Sequence, residues 1–165
     1  MKAYIALGAN LGDPAEQLKA ALAALAALPQ TRLVQASSFY ASAPVGFTDQ
    51  PDFVNAVCEL ETDLAPLEVL AALLRIESEN GRERSFKNSP RTLDLDLILY
   101  GEQCVDLPEL SVPHPRMHQR AFVLLPLLEI APAVLIPKLG AAQGYLALVA
   151  DQALIRLGQS FSSCE

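Results

Sequence analysis

Apolar and polar positions along this chain switch between a period of two and a period near 3.6, and each switch marks a new element. Ala3 to Leu7 reads as a first strand, followed by the glycine-bounded turn Gly8-Ala9-Asn10-Leu11-Gly12. Asp13-Pro14-Ala15-Glu16 then joins a capping carboxylate, a first-turn proline and a Glu three residues after the cap, which together start a helix. Its apolar stripe is Leu18, Leu22, Leu25 and Leu28, and Pro29 ends it. Leu33 to Tyr40 predicts a second strand and Phe53 to Glu61 a third, with Val54, Ala56, Cys58 and Leu60 on one face. Pro66 opens a second helix through Glu77, with Leu67, Leu70, Leu73, Leu74 and Ile76 mostly inward, and Gly81 closes it. A fourth strand alternates Leu93, Leu95, Leu97 and Leu99 with Thr92, Asp94, Asp96 and Ile98, as a strand with one buried face does. A third helix ends near Ala131-Pro132. The order strand, helix, strand, strand, helix, strand predicts an α+β fold, an antiparallel sheet with two helices on one face.

The fourth strand carries the first chemical signal. Period-two spacing points Asp94 and Asp96 the same way, and two adjacent carboxylates repel each other and resist burial. Water, a cationic side chain or a metal must compensate them, and oxygen ligands of this kind suit magnesium held partly by substrate phosphates. Just upstream stand Arg82, Arg84, Lys87 and Arg91, and with Arg75, Arg116 and Arg120 they make seven of the twelve Lys and Arg in the chain. Gathering cations beside an acidic pair suits a metal-bound polyphosphate, because guanidinium forks match phosphate oxygens. The plainer alternative for both stretches is a solvated charged surface.

Composition narrows the classes. A chain of 165 residues with 52% hydrophobic content is long enough for one domain with a real core. A formal charge of −7 leaves no overall basic field, which argues against a general nucleic-acid binder. Met1 to Ile5 lacks an apolar signal core, and every apolar run is interrupted by charge or proline, so a soluble cytoplasmic protein is expected. Cys58, Cys104 and Cys164 are odd in number and widely spaced, so reduced thiols are expected, with Cys58 in the core.

Other features are weaker. The glycine turn lacks the Lys-Ser/Thr ending of a phosphate loop and the spacing of a dinucleotide fingerprint. The segment Ser42 to Pro51, punctuated by proline and glycine, is too long for a tight hairpin turn, and loops of that length are often functional. Phe53 and Asn55 share a strand face, which offers a planar heterocycle a ring and an amide, or is simply an ordinary strand pair. His114 and His118 have the i, i+4 spacing of zinc ligands, but Pro113 and Pro115 bracket His114 and place it before the helix. Residues 133 to 165 hold a further apolar segment and a polar tail without a functional signal.

Several separated motifs occur in one order: Gly8-Ala9-Asn10-Leu11-Gly12, Ser37-Ser38-Phe39-Tyr40, Gln50-Pro51-Asp52-Phe53-Val54-Asn55, Arg75-Ile76-Glu77, Gly81-Arg82-Glu83-Arg84, Pro90 to Asp96, and Val112-Pro113-His114 through Arg120-Ala121-Phe122. In this ordered set, from Tyr4 to about Pro137, the chain resembles the hydroxymethyldihydropterin pyrophosphokinases of folate biosynthesis. The resemblance implies transfer of pyrophosphate from ATP to the hydroxymethyl group of a reduced pterin, with release of AMP. It also implies a ferredoxin-like βαββαβ sandwich with C-terminal additions, in one domain spanning 1–165.

Carried over residue by residue, Asp94 and Asp96 would hold two magnesium ions that bridge the ATP phosphates. Arg82 and Arg91 would clamp the phosphates, with Arg84 and Lys87 on the loop over ATP, and Glu77, His114 and Arg120 near the nucleotide. Phe53 and Phe122 would sandwich the pterin, Asn55 would read its edge, and backbone groups of Ser42, Ala43, Pro44 and Val45 would complete that recognition. The partners implied are small molecules, with no nucleic acid and no membrane, and a monomer is expected. The chain departs from some members at Asn88-Ser89, where they carry Trp, and it has Phe53 where Tyr also occurs. Two rival readings of the residues are a phosphatase or nucleotidyltransferase using the aspartates, and a ligand-binding module without turnover.

Overall fold

The structure is a computed structural model, and it describes residues 1–9, 13–42, 53–79 and 93–160. In chain order the main elements are β1 (Lys2–Ala9), α1 (Pro14–Ala26), β2 (Thr31–Ala36), β3 (Ser38–Ser42), β4 (Phe53–Thr62), α2 (Pro66–Glu79) and β5 (Asp94–Tyr100). The hairpin β6 (Val105–Leu107) and β7 (Leu110–Val112) follows, then α3 (Ala121–Ile130), β8 (Leu135–Ile136), β9 (Gly140–Ala141) and β10 (Ile155–Ser160). The main sheet runs β10-β3-β4-β1-β5, with β2 also on β4, and each of these pairings is antiparallel. The fold is α+β, as the element order predicts.

The central strands are buried on both faces. On one face α1 and α2 bring Leu18, Leu22, Leu25, Val69, Leu73 and Ile76 against Ile5, Val54, Ala56, Cys58, Leu60, Leu95 and Leu97. Asp13 caps α1, its Oδ1 accepting from the Glu16 amide at 3.3 Å, so the local start signal operates as its composition predicts. The other face is covered by α3 and the 3-10 segment Ala142–Val149, which bury Tyr4, Val57, Ile98 and Leu99 with Val123, Leu124 and Leu127. Burial pushes the Cys58 thiol well above its usual range, as for an unreactive core residue, whereas Cys104 is exposed.

Three expectations need correction. Leu67 and Leu74 are 43% and 49% exposed, because the buried stripe of α2 runs through Val69, Ala72, Leu73, Ile76 and Glu77. The second strand is broken at Ser37: Ala36 pairs with Cys58 and Tyr40 with Asn55, so one extra residue is accommodated on that side. Ser37 holds the break, its amide donating to the Val57 carbonyl at 2.8 Å and its Oγ accepting from the Val57 amide at 3.0 Å. On β5 the register against β1 shifts between Tyr4–Leu99 and Ile5–Leu97. Leu93, Leu95 and Leu97 therefore face α1 and α2, while Leu99 turns to the opposite core beside Ile98. The Ser42 to Pro51 loop beyond Ser42, the closure of α2 by Gly81 and the basic loop lie outside the described residues.

A fourth correction concerns Gly8. The sequence assigns it to a turn, yet β1 continues through Ala9, so Gly8 is a strand residue.

Candidate active site

A cavity of about 430 Å³ opens at the end of the sheet where β1, β4 and β5 meet the start of α3. Its floor is small because β1 contributes Ala6 and Gly8 there. Gly8 pairs with Asn55 on one side and Asp94 on the other, and Ala6 pairs with Asp96. A Cβ at Gly8 would lie 3.1 Å from Asn55 Oδ1. That amide is pinned, since Asn55 is 5% exposed and its Nδ2 donates to Ser42 Oγ at 2.9 Å. Glycine at position 8 thus leaves room beside a pinned amide. Gly8→Ala is expected to lower stability by about 1–3 kcal/mol, the range for overpacking a site whose neighbour cannot move aside. Denaturant unfolding would check this, and an unchanged midpoint would count against the role of the floor.

Asp94 and Asp96 both line this cavity, Asp94 half-buried and Asp96 exposed. Period-two spacing thus aims both carboxylates into one space. Between them the Leu95 amide donates to Glu77 Oε2 at 2.7 Å. Glu77 is 5% exposed and does not line the cavity, so its carboxylate braces the acidic strand from the α2 side. His114 follows from the β5 irregularity: its amide donates to the Ile98 carbonyl at 3.0 Å, which seats it beside the aspartates. His114 Nδ1 accepts from the Arg116 amide at 3.1 Å, so in the neutral ring Nε2 carries the proton. Burial holds its pKa below the usual value against the opposing charge of Asp96, with Arg120 and Arg116 adding to the depression.

The start of α3 supplies the opposite wall. Arg120, Ala121, Phe122 and Val123 line the cavity, with the Arg120 guanidinium 5.5 Å from the centre of the Phe122 ring. Phe53 and Phe122 are both half-buried, so each ring keeps part of its surface toward the cavity. Of the residues singled out from the sequence, Ser42, Phe53, Asn55, Asp94, Asp96, His114, Arg120 and Phe122 converge here. Ala43, Pro44, Val45, Arg82, Arg84, Lys87 and Arg91 lie outside the described residues. His118 is in a 3-10 turn, Met117–Gln119, and its ring packs edge-on against Tyr145 at 5.1 Å between centroids. The histidine spacing thus reflects a turn between β7 and α3. Sequence reasoning missed Gln152, Ala153 and Leu154, which also line the cavity. They belong to none of the motifs read in the sequence, and only the path of the chain back to the sheet brings them here.

Among the described residues no third His, Cys, Asp or Glu joins the aspartate pair as a metal-binding cluster. Two hard oxygen donors at a solvent-accessible cavity fit magnesium, which keeps waters and takes the rest of its ligands from substrate phosphates.

Fold and cavity together define an α+β protein with a cleft that is acidic on one strand and aromatic on its flanks, suited to a planar ring and a cation-bound anion. Residues 4–132 match the family model described as 7,8-dihydro-6-hydroxymethylpterin-pyrophosphokinase. The 2-amino-4-hydroxy-6-hydroxymethyldihydropteridine pyrophosphokinase of Pseudomonas aeruginosa is 55% identical over 136 residues, 82% of this chain and 84% of the relative. That of Haemophilus influenzae is 49% identical over 155 residues, 94% of this chain and 97% of the relative. A crystal structure of a Plasmodium falciparum HPPK-DHPS triple mutant matches with a TM-score of 0.70 at 15% identity, covering 91% of this chain. The chain spans 45% of that longer one, and the likeness bears on the fold. The chain belongs to the 7,8-dihydro-6-hydroxymethylpterin pyrophosphokinase family, enzymes that transfer pyrophosphate from ATP to hydroxymethyldihydropterin in folate biosynthesis.

Proposed function

We propose that the cleft between β4, β5 and α3 is where this pyrophosphokinase joins its two substrates. The observation that carries the proposal is the convergence of Asp94, Asp96, Phe53, Asn55 and Phe122 on one cavity of about 430 Å³. The pterin lies between the rings of Phe53 and Phe122, and Asn55, oriented by Ser42 Oγ, reads its edge. Asp94 and Asp96 hold two magnesium ions, which supply charge neutralisation at the ATP phosphates and make the pterin alcohol easier to deprotonate. Arg120 and His114 face the nucleotide side, where the neutral His114 offers Nε2–H to an anion. Arg82 and Arg91 clamp the transferred phosphates, Arg84 and Lys87 bind ATP, and Ala43, Pro44 and Val45 complete the pterin edge, as the family resemblance implies. Glu77 acts on the nucleotide site by holding the acidic strand in register.

A primary alcohol is a weak nucleophile, and among the described residues no side-chain nucleophile paired with its own base lines the cavity. Rate enhancement then rests on positioning and electrostatics: the alcohol is held in line with the β-phosphorus while cations offset charge on the transferring group. AMP departs as the leaving group.

Within the same proposal, β1, α1, the broken β2–β3 strand, β4, α2 and β5 form a ferredoxin-like core, supported by the antiparallel order in which β1 lies between β4 and β5. The elements after β5 are additions to one domain of residues 1–165. The protein works as a cytoplasmic monomer on small molecules and binds no nucleic acid. Among the described residues no helix is long and apolar enough to cross a membrane.

Product analysis tests the reaction. With ATP, magnesium and reduced hydroxymethylpterin, AMP and pterin diphosphate are expected together, and neither when any one component is omitted. ADP or free phosphate in their place would overturn the proposal.

A further inference from the structure

The first turn of α3 has an unusual start. Arg120 is its cap residue, yet the Arg120 side chain makes no capping hydrogen bond. The missing acceptor comes from 31 residues away: Gln152 Oε1 accepts from the Ala121 amide at 2.9 Å. The other end of the same amide, Gln152 Nε2, donates to the Gln119 carbonyl at 2.9 Å. One side chain therefore grips the backbone on both sides of Arg120. A planar primary amide is suited to this, because it carries a donor and an acceptor a fixed distance apart.

The segment that carries Gln152 is anchored on the far wall as well. Just beyond it β10 pairs with β3, Ile155 opposite Ala41 and Arg156 opposite Tyr40. Arg156 Nε donates to Ser38 Oγ at 3.0 Å, and its guanidinium lies 3.5 Å from Glu129 of α3. Residues 152–154 thus cross from α3 to the strand that ends in Ser42, and all three line the cavity. They stand outside residues 4–132, the part of the chain that matches the family model.

We propose that Gln152 is a positioning residue of the pyrophosphokinase site: its amide clamps the chain around Arg120 and so fixes both Arg120 and the Phe122 ring for their substrates. The inference rests on the proposed roles of Arg120 and Phe122. An uncapped helix start frays, and two residues that must meet different substrates then sample orientations in which neither is in place.

The test compares the full-length protein with Gln152→Ala, which removes both bonds, and Gln152→Glu, which keeps the acceptor for Ala121 and loses the donor. Gln152→Ala is expected to raise KM for pterin and for ATP about tenfold each. Gln152→Glu is expected to fall between it and the wild type. A residue that merely stabilised the fold would lower apparent kcat through the folded fraction and leave both KM values alone. Amide hydrogen exchange at Ala121 should quicken in Gln152→Ala while exchange in β1 and β4 stays unchanged. Unchanged exchange at Ala121 would overturn the clamp, and faster exchange with unaltered KM values would overturn its positioning role. Phe122→Ala and Arg120→Ala are measured alongside. If neither alters a KM while Ala121 exchange responds to Gln152→Ala, the assignment of the site has failed rather than the clamp, and the positioning role falls with it.

Discussion

Asp94→Asn or Asp96→Asn is expected to lower AMP formation by at least about a thousandfold, the several kcal/mol of charge stabilisation that a catalytic metal supplies. The fold should survive either change. Asn is nearly isosteric with Asp, both side chains reach the cavity, and removing one of two neighbouring carboxylates relieves repulsion. The thermal midpoint should therefore stay within a few degrees of the parent, which separates loss of chemistry from loss of structure. Chelation of magnesium should reproduce the loss reversibly in the unaltered protein. Turnover near the parental rate in either variant would sink the assignment of the metal to this pair.

Phe122→Ala is expected to weaken pterin binding by about ten- to a hundredfold, the range for removing an aromatic surface from a stacked heterocycle. ATP binding should suffer much less, by about fivefold at most. That smaller loss follows from Arg120, whose guanidinium rests 5.5 Å from the Phe122 ring centre and loses a cation–π support of about 0.5–1 kcal/mol. Phe122 is half-buried, so the cost to the core stays below that of truncating a fully enclosed ring. Binding measured separately for each substrate by calorimetry decides the matter. Equal losses for pterin and ATP would argue that the change disorders α3 as a whole and that the ring does not stack on the pterin.

These two expectations use residues that were legible in the sequence, and for a physical reason. Asp94 and Asp96 are two apart in a strand, and Phe53 and Asn55 likewise, so a local period was enough to put each pair on one face. The Asp13 cap was legible in the same way, because its hydrogen bond closes over three residues. Gly8 shows where such reasoning stops. Glycine in a sequence signals a turn, but here its missing side chain makes space beside Asn55, which comes from a strand about fifty residues away.

The chain's own pattern determined the α+β element order, the stripe of α1, the Cys58 core position and the shared direction of the two aspartates, all consequences of spacing over a few residues. Tertiary structure decided the rest. The break at Ser37 and the register shift at Ile98 exist because neighbouring strands offer one residue fewer, and the shift frees the carbonyl that seats His114. Leu67 and Leu74 are exposed because the sheet meets a different strip of α2. Gln152 enters the site because β10 returns to β3, and its two hydrogen bonds span 31 and 33 residues. Contacts of that range depend on where the whole chain goes, and no local period of side chains encodes them.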